Sequence, residues 1–109
     1  MFSINNSPTF THTVKVNVPV NGGYEQQSFQ ATFNVVPIDE AARFDLSSGE
    51  ETTAFLKRVI AHLDDLAGPD GEPVPYNSDL RDRLIQLPYV RVPLAKAYYD
   101  GVAGSYTGN

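Results

Sequence analysis

Two stretches near the start of the chain alternate strictly between apolar and polar positions. From Thr11 to Val20, Val14, Val16, Val18 and Val20 fall on one side and Thr13, Lys15 and Asn17 on the other. From Tyr24 to Val36, Phe29, Ala31, Phe33 and Val35 face one way and Gln30, Thr32 and Asn34 the other. A period of two with β-branched and aromatic residues predicts half-buried strands. Asn21-Gly22-Gly23 between them suits a tight turn, so the two runs predict an antiparallel hairpin. Pro19 has no N–H to give a ladder, which places an end or an open edge of the first strand there.

The pattern then changes to three- and four-residue steps. Phe55, Leu56, Val59, Ile60, Leu63 and Leu66 form one stripe, predicting a main helix from about Gly49 to Leu66. Ser47-Ser48-Gly49-Glu50-Glu51 places a Ser three residues before a Glu, a capping-box pattern, and Gly68-Pro69 stops the run. Ile38 to Leu46 suits a short helix or turn. Gly68 to Asn77 is the strongest loop signal in the chain. Asn77 or Ser78 then caps a third helix with Leu80, Leu84 and Ile85 inward, which Pro88 interrupts. A last helix is expected from Val90 to Val102, carrying Val92, Leu94, Ala95, Tyr98, Tyr99 and Val102, with Pro93 in its first turn and its end weakened by Gly101 and Gly104.

Strands first and helices after predict an α+β fold: an N-terminal antiparallel β-hairpin, part of a small sheet, packed against three or four C-terminal helices. Because an isolated hairpin is marginal in water, a third strand is expected from the leader or from a partner chain. Residues 1–10 read as a flexible leader, 11–104 as a single domain and 105–109 as a flexible tail. A chain of 109 residues fits one hydrophobic core.

Composition narrows the function. With no cysteine, thiolate metal sites and cysteine nucleophiles are excluded. The net charge is −5, and the eight basic residues are scattered, the closest grouping being Arg81, Arg83 and Arg91. That pattern argues against nucleic acid and anionic membranes as partners. No apolar run reaches the ~20 residues of a membrane span, and residues 1–10 lack a signal-peptide pattern, so a cytoplasmic protein is the expectation.

Catalytic constellations are equally sparse. His12 and His62 fall in different elements and read as surface or helix-flank residues, short of the three or four converging ligands a zinc site needs. Asp64, Asp65, Asp70 and Glu72 surround the Gly-Pro loop, but their spacing misses the alternating oxygen ligands of a calcium loop. Gly22-Gly23 lacks the Lys and Ser/Thr of a phosphate loop, and Ser47-Ser48 lacks the Gly-x-Ser-x-Gly frame of a nucleophile elbow. The expectation is a non-enzymatic protein without cofactor or metal. Tyr76, Tyr89, Tyr98, Tyr99 and Tyr106 crowd the C-terminal third instead. Tyrosine suits protein interfaces, and it also completes cores. Tyr98 and Tyr99 point about 100° apart on a helix, so at most one is fully inward.

The series VKVNVPVNGGYEQQSFQATFNVV, FLKRVIAHLDDL, GPDGEPVPY, LRDRLIQL and PYVRVPLAKAYYDGV, over about residues 10–104, resembles the small tail assembly chaperones of long-tailed phages and prophages. That resemblance implies a non-catalytic factor of the bacterial cytoplasm. Such a factor binds the tape-measure protein, keeps that long chain in solution, and helps tail tube subunits assemble around it. A chaperone of apolar helical stripes needs an apolar groove of its own. Exposed Tyr and Leu residues of the last two helices form the candidate surface, with Tyr89, Leu94, Tyr98 and Tyr99 as the candidate partner-binding residues. Two alternatives stay open. One is a structural virion part (tube, connector or completion protein), for which an open-edged hairpin would pair copies into a homo-oligomer. The other is a small ligand-binding domain or enzyme.

Overall fold

A computed structural model describes residues 1–104; the expected tail, 105–109 with Tyr106, lies outside the described residues. Strand β1 (Thr9–Val20) and strand β2 (Gly23–Asn34) pair antiparallel from Thr9↔Asn34 to Val20↔Gly23. Gly22 closes the turn with a φ of 81°, a conformation glycine adopts without steric cost. The remaining elements are helix α1 (Ile38–Ala41), helix α2 (Gly49–Val59), strand β3 (Ile60–Asp64), helix α3 (Ser78–Ile85) and helix α4 (Pro88–Val102). The fold is α+β, a β-hairpin extended to three strands in the order β1-β2-β3 and packed against helices.

The third strand comes from neither the leader nor a partner; it is the second half of the segment expected to be the main helix. The helix ends at Val59, where Ile60 turns to an extended conformation and β3 pairs with Gln30–Phe33 of β2. Two β-branched residues in succession, Val59 and Ile60, weaken a helix and suit a strand. The three-residue spacing of Ile60 and Leu63 has a specific cause. Thr32 faces His62 but Phe33 faces Ile60, so Ala61 is an extra residue in the ladder. A bulge of one residue restores both Ile60 and Leu63 to the inner face, where both are buried. The bulge therefore reproduces a helical spacing inside a strand.

Local signals at the other helix ends agree with the structure. Ser48 caps α2, its side chain accepting from the Glu51 N–H at 3.3 Å. The Glu51 carboxylate reaches back past the cap to accept from the Asp45 N–H at 2.7 Å. The Ser47 hydroxyl and N–H both donate to Asp45, and these bonds hold its carboxyl below the usual range. Asn77 caps α3 through the Leu80 N–H at 2.8 Å. Pro88 opens α4 instead of merely interrupting α3, so Pro93 falls inside the helix and not in its first turn. There it removes the donor that would reach the Tyr89 carbonyl.

The core lies between the sheet and the helices. Val14, Val16, Phe29, Ala31 and Phe33 from the hairpin meet Phe55, Leu56 and Val59 of α2, Ile85 of α3, and Val90, Leu94, Ala97 and Tyr98 of α4. The helices cover only part of the hairpin. Val18 is half-buried, and Val20 and Tyr24 at the turn stand in solvent. The domain also begins earlier than expected, because Phe10 belongs to β1 and packs on Phe33, with ring centroids 5.3 Å apart.

Gly101 explains how Phe10 fits. It does not loosen α4, which continues through it to Val102. A Cβ at Gly101 would stand closer than 3.0 Å to three atoms of the Phe10 ring. Gly101→Ala is therefore expected to destabilise the fold. The strain of overpacking, about 1–3 kcal/mol, outweighs the ~1 kcal/mol that alanine adds to a helix. A lower urea midpoint with an unchanged m-value would confirm this; a raised midpoint would refute it.

Candidate partner-binding site

Helix α4 positions all four residues expected to bind a partner, but it divides them. Leu94 and Tyr98 face the sheet and are buried, Tyr98 to 2 % exposure. Neither can touch a partner, which corrects the expectation for both. Tyr89 is half-buried against the core. Tyr99 alone among the four is exposed, at 40 %. The sequence-level constraint that at most one of Tyr98 and Tyr99 points inward is met, with Tyr98 the inward one.

Tyr98 is the junction of the aromatic core. Its ring lies edge-on to Phe33 at 5.6 Å, to Phe55 at 5.3 Å and to Tyr99 at 5.2 Å, and tilted against Phe10 at 6.1 Å. Its hydroxyl accepts from the Val36 N–H at 3.2 Å, where the chain leaves the sheet. That donor is buried and has lost its ladder partner, so the phenol satisfies it.

Tyr99 lies flat on the other side of the same cluster. It stacks on Phe55 at 5.7 Å with 9° between the rings, and Phe55 meets Phe44 edge-on at 5.6 Å. One face of the Tyr99 ring is thus fixed and the rest is presented outward. Partial burial, with the neighbouring Tyr98 phenol adding to it, pushes the Tyr99 hydroxyl above its ordinary pKa.

The helix carries a second apolar stripe. At about 100° per residue, Val92, Ala95, Tyr99 and Val102 share the side opposite Val90, Leu94 and Ala97. Val92 is 68 % exposed, and Val102 is exposed as Tyr99 is. The signal was present in the sequence: the steps 92, 95, 99 and 102 repeat the three-and-four spacing of the inner stripe. A helix with two apolar stripes has one that its own domain does not cover.

The charged and polar candidates are spent internally. Arg91 donates through Nε to the Ile85 carbonyl at 2.9 Å, through Nη1 to the Gly49 carbonyl at 2.8 Å, and through Nη2 to the Thr53 hydroxyl. It ties α4 to the end of α3 and the start of α2. Arg81 pairs with its neighbour Asp82 at 2.9 Å. His62 lies on β3, not on a helix flank, with its ring 4.9 Å from that of Tyr76. His12 Nδ1 contacts the Thr13 carbonyl oxygen at 2.7 Å. The acidic loop closes on itself: Asp70 accepts from the Glu72 N–H at 3.0 Å, and the Val74 N–H donates to the Leu66 carbonyl at 3.0 Å. Among the described residues no group of three or more His, Asp or Glu side chains is placed to hold a metal ion. Nor is any described helix long and apolar enough to cross a membrane.

The two tyrosines separate experimentally. Tyr98→Phe keeps the ring packing but orphans the buried Val36 N–H, with an expected loss of about 1–3 kcal/mol in urea unfolding; an unchanged midpoint would show that the bond carries no weight. Tyr99 makes a second prediction. Its pKa is raised on folding, so the unfolded chain ionises first as pH rises through about 10. Stability contributed by neutral Tyr99 is complete below that pH and is lost progressively above it. Wild type should lose stability in this alkaline range faster than Tyr99→Phe, and parallel curves for the two would refute the assignment.

Comparison of the chain with protein-family models, with curated proteins and with solved structures finds no match.

Proposed function

We propose that this chain is a non-catalytic phage tail assembly chaperone of the host cytoplasm that binds the tape-measure protein while tube subunits assemble on it. The observation that carries this reading is the outer stripe of α4. Val92, Tyr99 and Val102 stand exposed on a helix whose inner stripe already fills the core. A client built of apolar helical stripes matches such a surface, because two stripes packed together remove apolar area from water at about 25 cal/mol per Å². The stacked Tyr99 ring adds an anchor that loses little side-chain freedom on binding. The chain-wide order of features that resembles small tail assembly chaperones names the client class. The alternative, a structural virion part, rests on the open edges of the hairpin.

Val92→Asp combined with Val102→Ser changes only exposed side chains outside the core cluster and should leave the fold intact. The pair is expected to weaken binding to a co-expressed tape-measure fragment by about 30-fold, the effect of losing one ~2 kcal/mol hot spot. Unchanged affinity would remove α4 as the binding surface. Failure of the wild-type chain to bind, together with its presence in purified particles, would favour the structural reading.

A further inference from the structure

The residues ahead of β1 hold apolar side chains away from the domain. Phe2 is 90 % and Ile4 83 % exposed, and they alternate with Ser3 and Asn5 at the period of a strand. The leader is tied down only at its end. The Pro8 carbonyl accepts from the Val35 N–H at 3.0 Å, one step beyond the Thr9↔Asn34 pair. Ahead of that bond the chain bends at Asn6 and Ser7, the Ser7 N–H donating to the Asn5 side chain at 2.9 Å, so residues 1–5 leave the line of β1.

The outer edge of β1 offers what such a segment lacks. In a hairpin closed by a two-residue turn, Val20 and Gly23 exchange hydrogen bonds. Every second residue of β1 from Val20 therefore bonds β2, and Thr11, Thr13, Lys15 and Asn17 turn their backbone groups outward. Among the described residues no other backbone segment bonds this edge. Pro19, with no N–H, falls on the same outward set, where its missing donor harms no ladder. Beside the edge runs a groove of about 660 Å³ walled by Pro93, Lys96 and Ala97 of α4, with Val14 of β1 also lining it.

We propose that the leader of one copy adds as a strand to the outer edge of β1 in a second copy, laying Phe2 and Ile4 against Pro93 and the aliphatic stem of Lys96. The donor has the right period and two unburied apolar side chains. The acceptor has unpaired backbone groups and a mixed wall, in which Pro93 and the Lys96 stem are apolar and the Lys96–Asp100 ion pair is polar. Added strands of this kind take affinity from main-chain bonds and selectivity from alternate side chains. Donor and acceptor are different surfaces, and every copy carries both. The contact is heterologous, so association proceeds head to tail, closing as a ring or continuing. It uses neither Val92 nor Tyr99 and stands apart from the client-binding proposal.

Two variants of the full chain test this by sedimentation velocity, with circular dichroism checking the fold. Phe2→Ser with Ile4→Ser disables the donor and touches nothing in the core. Thr13→Pro disables the acceptor, removing an outward N–H that its own hairpin does not use. Wild type should sediment above the mass of one chain, and each variant alone as a single chain. An equimolar mixture should form a dimer and stop there, because it retains one working donor and one working acceptor. If wild type stays a single chain, with the leader free or folded onto its own edge, the proposal fails. It fails too if the leader variant self-associates like wild type. Should Thr13→Pro misfold, the leader variant decides alone.

Discussion

One phenol holds the two layers of this protein in register. Tyr98 projects from α4 into a ring of aromatic side chains supplied by both strands of the hairpin and by α2. Its ring provides packing area, and its hydroxyl accepts the Val36 N–H at the point where the chain leaves the sheet. Aromatic pairs at this spacing favour edge-on geometry, which fixes orientation as well as distance. The position of α4 follows from this contact, and Gly101, one turn further along, lets Phe10 complete the same cluster. The leader and the outer stripe of α4 are positioned by that arrangement without taking part in it.

The sheet depends on a second constraint, the need to pair backbone groups. Across the Gln30–Phe33 stretch β2 would have an open edge if α2 ran on as a helix. Ending the helix at Val59 spends Ile60–Asp64 on that edge, and the bulge at Ala61 keeps both large apolar residues inward. Burial of Ile60 and Leu63 is achieved by either conformation, so the ladder decides between them. Beyond that stretch β2 has no third strand, and β1 has no neighbour on its outer side. The open edges and the uncovered half of the hairpin share this origin: five residues of β3 are set against twelve of β2.

The distribution of uncovered apolar surface is the ground on which the proposed binding role stands. Helix α4 is apolar on two sides, and its short domain supplies a core for one. Of the charged groups nearby, Arg91 is committed to three oxygens that join the helices. The outer side of α4 exposes a stacked tyrosine and two valines, the hairpin tip exposes Val20 and Tyr24, and α1 exposes Ile38; β1 adds an unpaired strand edge. Surfaces of these kinds bind by packing and by backbone pairing, and the proposed function rests on them.

Much of the architecture was legible in the sequence by itself: the hairpin and its turn, a capping box within Ser47–Glu51, a cap at Asn77 or Ser78, the α+β order and most of the inward set of the strands, Val20 and Val35 excepted. Each of these is a local property, set by side-chain period or by a cap within three or four residues. The candidate site was half legible. Periodicity showed that Tyr98 and Tyr99 diverge, yet which of them turned inward depended on Val36, Phe33 and Phe55, far away in the chain. Leu94 had the composition of a contact residue and the position of a core residue. Only the tertiary structure decided that Ile60–Asp64 is a strand, because a bulge and a helix place apolar residues at the same three-residue spacing. It alone placed Phe10 within the domain and left Phe2 and Ile4 outside, since burial is settled by what lies opposite a side chain and not by its neighbours in sequence.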